Sequence, residues 1–263
     1  METHHRPALN LAAPPERAKE NLSDEVVRRL TTAIALGEYL PGSQLPPERQ
    51  LATLLGVGRV TIRAAIGRLV DAGLLQSRRG GNGGTFVVER NSAQANAIIE
   101  RTLSEAWDRL VDLQEAEAWM HGVIAEAAAQ RRTGEDLAAI AARLEGFREA
   151  TSGPAAQKAD ELFHDAIIRA THNRSLAELI HSLERQVHVS APAHPWGAAR
   201  YWEAMEKRAL ADHEKIFAAI KDADSARARD EGRRHAQINH DHLVDALRDA
   251  RQAIESDATD TSR

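Results

Sequence analysis

Residues 56–69, GVGRVTIRAAIGRL, hold three arginines and no acid. At 100° per residue, Ile62, Ala65, Ile66 and Leu69 fall on one arc of a helix. The opposite arc carries only Val60, Ala64 and Gly67, with Arg59 and Arg63 along one edge and Thr61 and Arg68 along the other. A solvated surface helix ordinarily mixes signs at i,i+4. A helix with a bare outer face and guanidinium edges is instead shaped to approach a polyanionic groove closely.

Its surroundings narrow the fold. Leu22-Ser23-Asp24-Glu25 predicts a helix start, with Val26, Leu30 and Ile34 at four-residue spacing and Gly37 as the stop. Pro41-Gly42 marks a turn, and Pro46-Pro47-Glu48 opens a short second helix through Leu51, Leu54 and Leu55. Gly56-Val57-Gly58 is a tight corner before the arginine-rich helix. Two short helices about such a corner form a helix-turn-helix, whose second helix enters the major groove. Leu74–Ser77 and Thr85–Val88 then read as strands around RRGGNGG, a hairpin wing with Arg78 and Arg79 among four glycines. Arg59 and Arg63 are placed to reach guanine edges or phosphates; solvated arginines on a helical hairpin are the bland alternative.

Charge supports the division. Residues 21–90 contain nine Arg, no Lys and six acids, whereas residues 91–263 contain 22 basic and 30 acidic residues, within an overall charge of −5. A basic head on an acidic body suggests a nucleic-acid module carried by something else. With 43% hydrophobic residues and no apolar run of membrane-spanning length, a soluble chain without a membrane partner is expected. The absence of cysteine excludes disulfides and thiolate metal sites and fits the cytoplasm.

The segment LPGSQLPPERQLATLLGVGRVTIRAAIGRLVDAGLLQSRRGGNGGTFV resembles the winged-helix domain of the GntR family of bacterial transcription regulators. The matching features are PGSQLP, PPERQLA, the VGRVTIRAAIGRL helix, and AGLL before a basic glycine-rich wing. The resemblance implies DNA contacts from Arg49, Arg59, Thr61 and Arg63, and from Arg79 and Gly80 at the wing tip. Relatives often place Thr or Ser where this chain has Gly58, which removes a phosphate-binding hydroxyl.

Beyond a short polar linker, expected over 91–97, only helical periodicity appears. Ile99, Leu103, Ala106 and Leu110 form one stripe; Ala116, Met120, Val123, Ile124 and Ala127 form another. Thr133-Gly134-Glu135-Asp136 starts a further helix, Ser152-Gly153-Pro154 breaks it, and later helices span roughly 156–171, 175–190, 199–222 and 224–254, with Pro192 and Pro195 between two of them. The expected fold is therefore mainly α: a winged helix-turn-helix over 21–90, then an all-α bundle of six or seven helices over 98–255, with disordered tails at 1–20 and 256–263. Trp196, Tyr201 and Trp202 are candidates either to close over a pocket or to pack.

Asp160 and His164 lie i,i+4 beside Phe163, Ile167 and Ile168; His213 shares a face with Ile216, Phe217 and Ile220; His235 lies with Ile238 and His242. Inward ionisable groups on three helices need partners. They form either a first-row divalent metal site or a set of hydrogen-bonded core histidines. Here ADELFHDAIIRATHN, LADHEKIFAAIKDAD and EGRRHAQINHDHL are similar to the FCD ligand-binding domain of the FadR-like branch of the same family. That resemblance implies Asp160, His164, His213 and His235 as ligands of zinc, nickel or manganese, with positions left open for water or an effector. Carboxylate-sensing members often carry an arginine clamp on an early bundle helix; the corresponding positions here are Glu117 and His121, which disfavours a simple acidic effector and leaves room for a neutral or cationic one.

The expected protein is a ligand-responsive, homodimeric regulator, a repressor on the family pattern, reading a palindromic DNA operator and responding to a small-molecule effector. A metalloenzyme built on the His/Asp bundle is the competing reading, but Glu161 and Asp165, which flank the ligands, turn from the inward stripe, and the winged helix is left without a role. A constitutive DNA binder with a structural metal is the third.

Overall fold

The computed structural model describes residues 22–80, 83–89, 92–189 and 196–260. Helix α1 (Leu22–Leu36) buries Val26, Leu30, Ala33 and Ile34. Helix α2 (Glu48–Leu55) follows Pro47 and stops at Gly56, whose φ of 66° lets its N–H turn back to the Ala52 carbonyl. Helix α3 (Arg59–Asp71) buries Ile62, Ala65, Ile66 and Leu69, the four residues of the apolar arc, and leaves Val60, Ala64 and Gly67 exposed. Its N-cap is Gly58, which offers no side-chain cap. Strands β1 (Leu75–Arg78) and β2 (Gly84–Val87) pair antiparallel, with Leu75 opposite Val87 and Arg78 opposite Gly84. Arg78 thus belongs to the strand, its guanidinium 4.4 Å above the Phe86 ring.

Seven helices follow: α4 (Ala93–Glu105), α5 (Trp107–Arg131), α6 (Gly134–Glu149), α7 (Pro154–Ala170), α8 (Arg174–Val187), α9 (Trp202–Lys221) and α10 (Ser225–Asp260), with a 3-10 turn at Ala199–Tyr201 before α9. The expected start of α6 is a full capping box, Thr133 and Asp136 each satisfying the other's backbone N–H. Two expectations are corrected. The linker placed at 91–97 is largely helix, because Ser92 caps α4 by accepting from the Ala95 N–H. The tail expected from 256 continues as helix to Asp260, since no glycine or proline interrupts α10 after Ile254. The tail at 1–20 and the prolines 192 and 195 lie outside the described residues.

One hydrophobic core runs through both halves. Leu30, Ile34, Ile62 and Leu69 of the head share a cluster with Ile99 and Leu103 of α4 and Leu243 and Leu247 of α10. The turn after α1 is bound to the bundle as well. The Gly197 N–H donates to the Leu36 carbonyl at 2.9 Å, the Trp196 N–H to the Gly37 carbonyl at 3.2 Å, and the Val189 N–H to the Glu38 carboxylate at 3.0 Å. Gly37 has a φ of 78°, and a Cβ there would lie 2.4 Å from the Gly197 nitrogen. Gly37→Ala is therefore expected to cost roughly 2–4 kcal/mol in urea unfolding, combining left-handed strain with overpacking. Gly146→Ala, on α6 where a Cβ meets nothing, is expected to be neutral or to stabilise by about 0.5–1 kcal/mol.

Candidate functional site

In the head, α3, the start of α2 and the wing each expose side chains to solvent. Arg49, Arg59, Arg63, Arg79 and Gly80 are exposed and Thr61 is half-buried. Helix α3 keeps its outer arc bare because the four apolar residues opposite are locked into the core. Val60 at its N-terminal end is 81% exposed, a methyl-bearing side chain suited to a thymine methyl. The sequence reading did not foresee the role of Glu48. Its carboxylate takes a forked pair from Arg63, Nε at 3.2 Å and Nη2 at 2.8 Å, and lies 3.9 Å from Arg59. The Arg63 hydrogen bond holds the Glu48 carboxyl below its ordinary range. Arg63 is thereby pre-oriented across α2 and α3, while Arg59 meets the same carboxylate only at 3.9 Å. Arg68 is paired with Asp24 of α1 at 2.5 Å, on the side away from the α3 N-terminus.

The second constellation lies inside the bundle. Asp160, His164, His213 and His235 are all buried, and one ligand atom from each lies within 4.8 Å of the others. Nε2 of His235 is 3.1 Å from Nε2 of His164 and 3.3 Å from Nε2 of His213; Asp160 Oδ1 is 3.2 Å from His213 Nε2 and 3.8 Å from His164 Nε2. Atoms bonded to one ion at about 2.1 Å sit about 3.0–3.4 Å apart in tetrahedral or octahedral geometry, so this donor set fits a metal. Three imidazoles facing one another through the same nitrogen are poor mutual hydrogen-bond partners, since each such contact needs one donor and one acceptor. Phe163 stacks on the His213 ring with centroids 4.2 Å apart, and Phe147 meets it edge-on at 4.8 Å, fixing its orientation. Asp212, next to His213 in sequence, lies 3.8 Å from the other nitrogen of His235. The His235 imidazole, with Lys215, holds the Asp212 carboxyl well below the usual carboxylate range. Such a carboxylate behind a ligating imidazole fixes its tautomer. Sequence reasoning missed it, although Asp212 lies i,i+4 from Ile216, at the edge of the same apolar stripe.

A cavity of about 20 Å³ adjoins the cluster, lined among others by His121, Asp160, His164, Trp196 and Met205. It is large enough for about one water or ion. Trp196, 2% exposed, forms part of its wall, so of the three aromatic candidates it is the one at the pocket. The Tyr201 hydroxyl instead donates to Asp249, and Trp202 packs against Gly153. Glu161 and Asp165 pair with Lys158 and Arg169, at 2.6 and 2.8 Å, rather than facing the cavity.

Glu117 and His121 separate. His121 is at the cavity, its ring edge-on to His164 at 5.4 Å. Glu117, one turn earlier on α5, sits 3.6 Å from His188 Nε2, and His188 Nδ1 is 3.8 Å from Glu38. The expectation that Glu117 would face a bound effector is corrected: its carboxyl lies in a buried group at the junction with the head. Burial, with the nearby Glu184 charge, pushes it up to about 8. The folded chain thus holds a proton there that the unfolded chain, at an ordinary 4.5, releases. Stability from this group falls as pH rises between those values and is lowest above the upper one. Glu117→Gln is expected to be more stable than the parent at pH 8.5, by roughly 1–3 kcal/mol, with the gain vanishing near pH 4.5; parallel denaturation curves at the two pH values check it.

The two constellations coincide with two family descriptions. Residues 22–87 match "Bacterial regulatory proteins, gntR family", and residues 112–238 match the FCD domain. The chain is 31% identical over 215 residues to the galactonate operon transcriptional repressor of Escherichia coli, covering 78% of this chain and 89% of that protein. It is 32% identical over 212 residues to the Uxu operon transcriptional regulator of the same organism, covering 77% and 80%. It is 35% identical over 172 residues to an uncharacterized HTH-type transcriptional regulator of Mycobacterium tuberculosis, Rv0494, covering 65% and 69%. These relatives are transcription regulators rather than enzymes. The chain belongs to the GntR family of bacterial transcription regulators, with a winged helix-turn-helix head and an FCD domain.

Proposed function

We propose that this regulator binds a palindromic operator as a homodimer in the cytoplasm, represses transcription from it, and is modulated by a small molecule acting at a metal held by Asp160, His164, His213 and His235. The observation that carries the metal is the meeting of three Nε2 atoms and one carboxylate oxygen in a buried volume. Zinc, nickel and manganese suit three nitrogen ligands and one oxygen. Repression is supported by one relative, the galactonate operon transcriptional repressor. A dimer is favoured because one helix-turn-helix reads only a few base pairs, and useful specificity calls for two half-sites about one helical turn apart. The metal would fix the three helices and polarise a bound group. The chain's own residues would do the rest: His121 and Asn239 offer polar contacts at the cavity, and Trp196 and Met205 exclude water. With no arginine or lysine among the described residues that line that cavity, a neutral or cationic effector is favoured over a simple carboxylate.

On the DNA side, Arg59→Ala is expected to weaken binding to a selected operator by about 1–3 kcal/mol per lost base contact. Arg79→Ala is expected to lower affinity evenly across sequences and to flatten its salt dependence. Fluorescence anisotropy at fixed salt checks both; unchanged operator affinity in Arg59→Ala would remove α3 from the groove.

On the metal side, protein purified without chelator is expected to carry about one divalent ion per chain, and His213→Ala to lose it while keeping DNA binding. Ligation needs neutral imidazole, so affinity is expected to fall as pH drops below about 6.5. Elemental analysis and thermal melting with added zinc measure these effects. Full occupancy in His213→Ala would contradict the ligand set.

A further inference from the structure

A cavity of about 190 Å³ lies where α1 of the head meets α5 and α8 of the bundle. Four guanidinium groups line it, Arg28 and Arg29 from α1, Arg109 from α5 and Arg185 from α8, against one carboxylate, Glu25, which is paired with Arg28. Arg29 donates through Nη2 to the carbonyls of Arg185 and His188, at 2.7 and 2.8 Å, and its buried Nε has no hydrogen-bond partner among the described residues. Burial lowers the Arg29 pKa, and the like charges of Arg109 and Arg28 add to that, against the opposing Glu38. Among the described residues, no acid pairs with the side chains of Arg109 and Arg185. Four guanidinium groups from three helices against the single carboxylate of the lining make a region of positive potential that favours an anion.

We propose that this cavity binds the phosphate group of a small phosphorylated metabolite. Guanidinium forks match phosphate oxygens in pairs, and a dianion offsets most of the excess charge that a single carboxylate would leave. Leu110 and Leu113 in the same lining supply apolar contact for the organic part. The site shares no residue with the His/Asp cluster. Because α1 carries the DNA-binding head and α5 and α8 belong to the bundle, a ligand held by all three biases how the head is seated. By linkage, DNA then alters ligand affinity by the same factor.

Isothermal titration of the full chain with phenyl phosphate at constant ionic strength, with phenol as the uncharged control, tests the site. One saturable site per chain is expected, with Kd below about 1 mM, and no binding of phenol. Arg109→Gln and Arg185→Gln, both on exposed helix faces, are each expected to weaken binding about tenfold at unchanged melting temperature, the loss of one charged hydrogen bond. No saturable binding by the parent, or equal binding by the Arg109→Gln/Arg185→Gln double variant, would each overturn the proposal.

Discussion

The attachment of the α1 C-terminus to the bundle is the constraint on which the rest of the structure depends. Backbone groups of Leu36 and Gly37 accept from Gly197 and Trp196, Glu38 accepts from Val189, and Arg29 caps carbonyls at the end of α8. These bonds are made where bulk is excluded: a Cβ on Gly37 would collide with the Gly197 backbone, and one on Gly197 would meet the His242 ring. Buried backbone groups need partners, so head and bundle are tied by obligatory hydrogen bonds as well as by a common apolar core. A head held this way cannot shift without the turn after α1 shifting too.

Trp196 gives that attachment its functional interest. It is one residue with three contacts: its backbone bonds Gly37, its indole N–H donates to Glu206, and its ring forms part of the wall of the cavity beside the His/Asp cluster. In the proposed function, a change of contents in that cavity acts on Trp196 directly, and on α1 through one hydrogen bond and the packing of Leu40. The buried Glu117, His188 and Glu38 group lies at the same junction. Burial raises the pKa of the Glu117 carboxyl there, so this group's contribution to stability falls as pH rises.

Much of this was legible from the sequence because the signals were local. The apolar arc of α3, the corner at Gly56–Gly58, the Thr133 capping box and the D-x3-H spacing on α7 each specify a side-chain direction without knowledge of the fold. What stayed hidden was set by tertiary contact. Glu48 pairs with Arg63 across a helical corner, Asp212 backs His235 from another helix, and Glu117 meets His188 while His121, one turn on along α5, lines the cavity. Helix ends were misjudged where polar composition was taken for disorder: Ser92 begins α4, and α10 runs to Asp260 through a segment rich in acids and threonine. The arginines around the junction cavity come from α1, α5 and α8, and no spacing along the chain announces their meeting.

The claim that the bundle interior communicates with the DNA-binding head is tested most directly by hydrogen–deuterium exchange of the full chain with and without zinc. Occupancy of the His/Asp cluster is expected to slow exchange in α7, α9 and α10, and also at the Gly37 and Glu38 amides and around Trp196, because local opening there would have to break contacts that the filled cluster supports. Protection confined to the three ligand-bearing helices, with residues 33–40 exchanging at an unchanged rate, would contradict the coupling and leave the cluster a staple of the bundle alone.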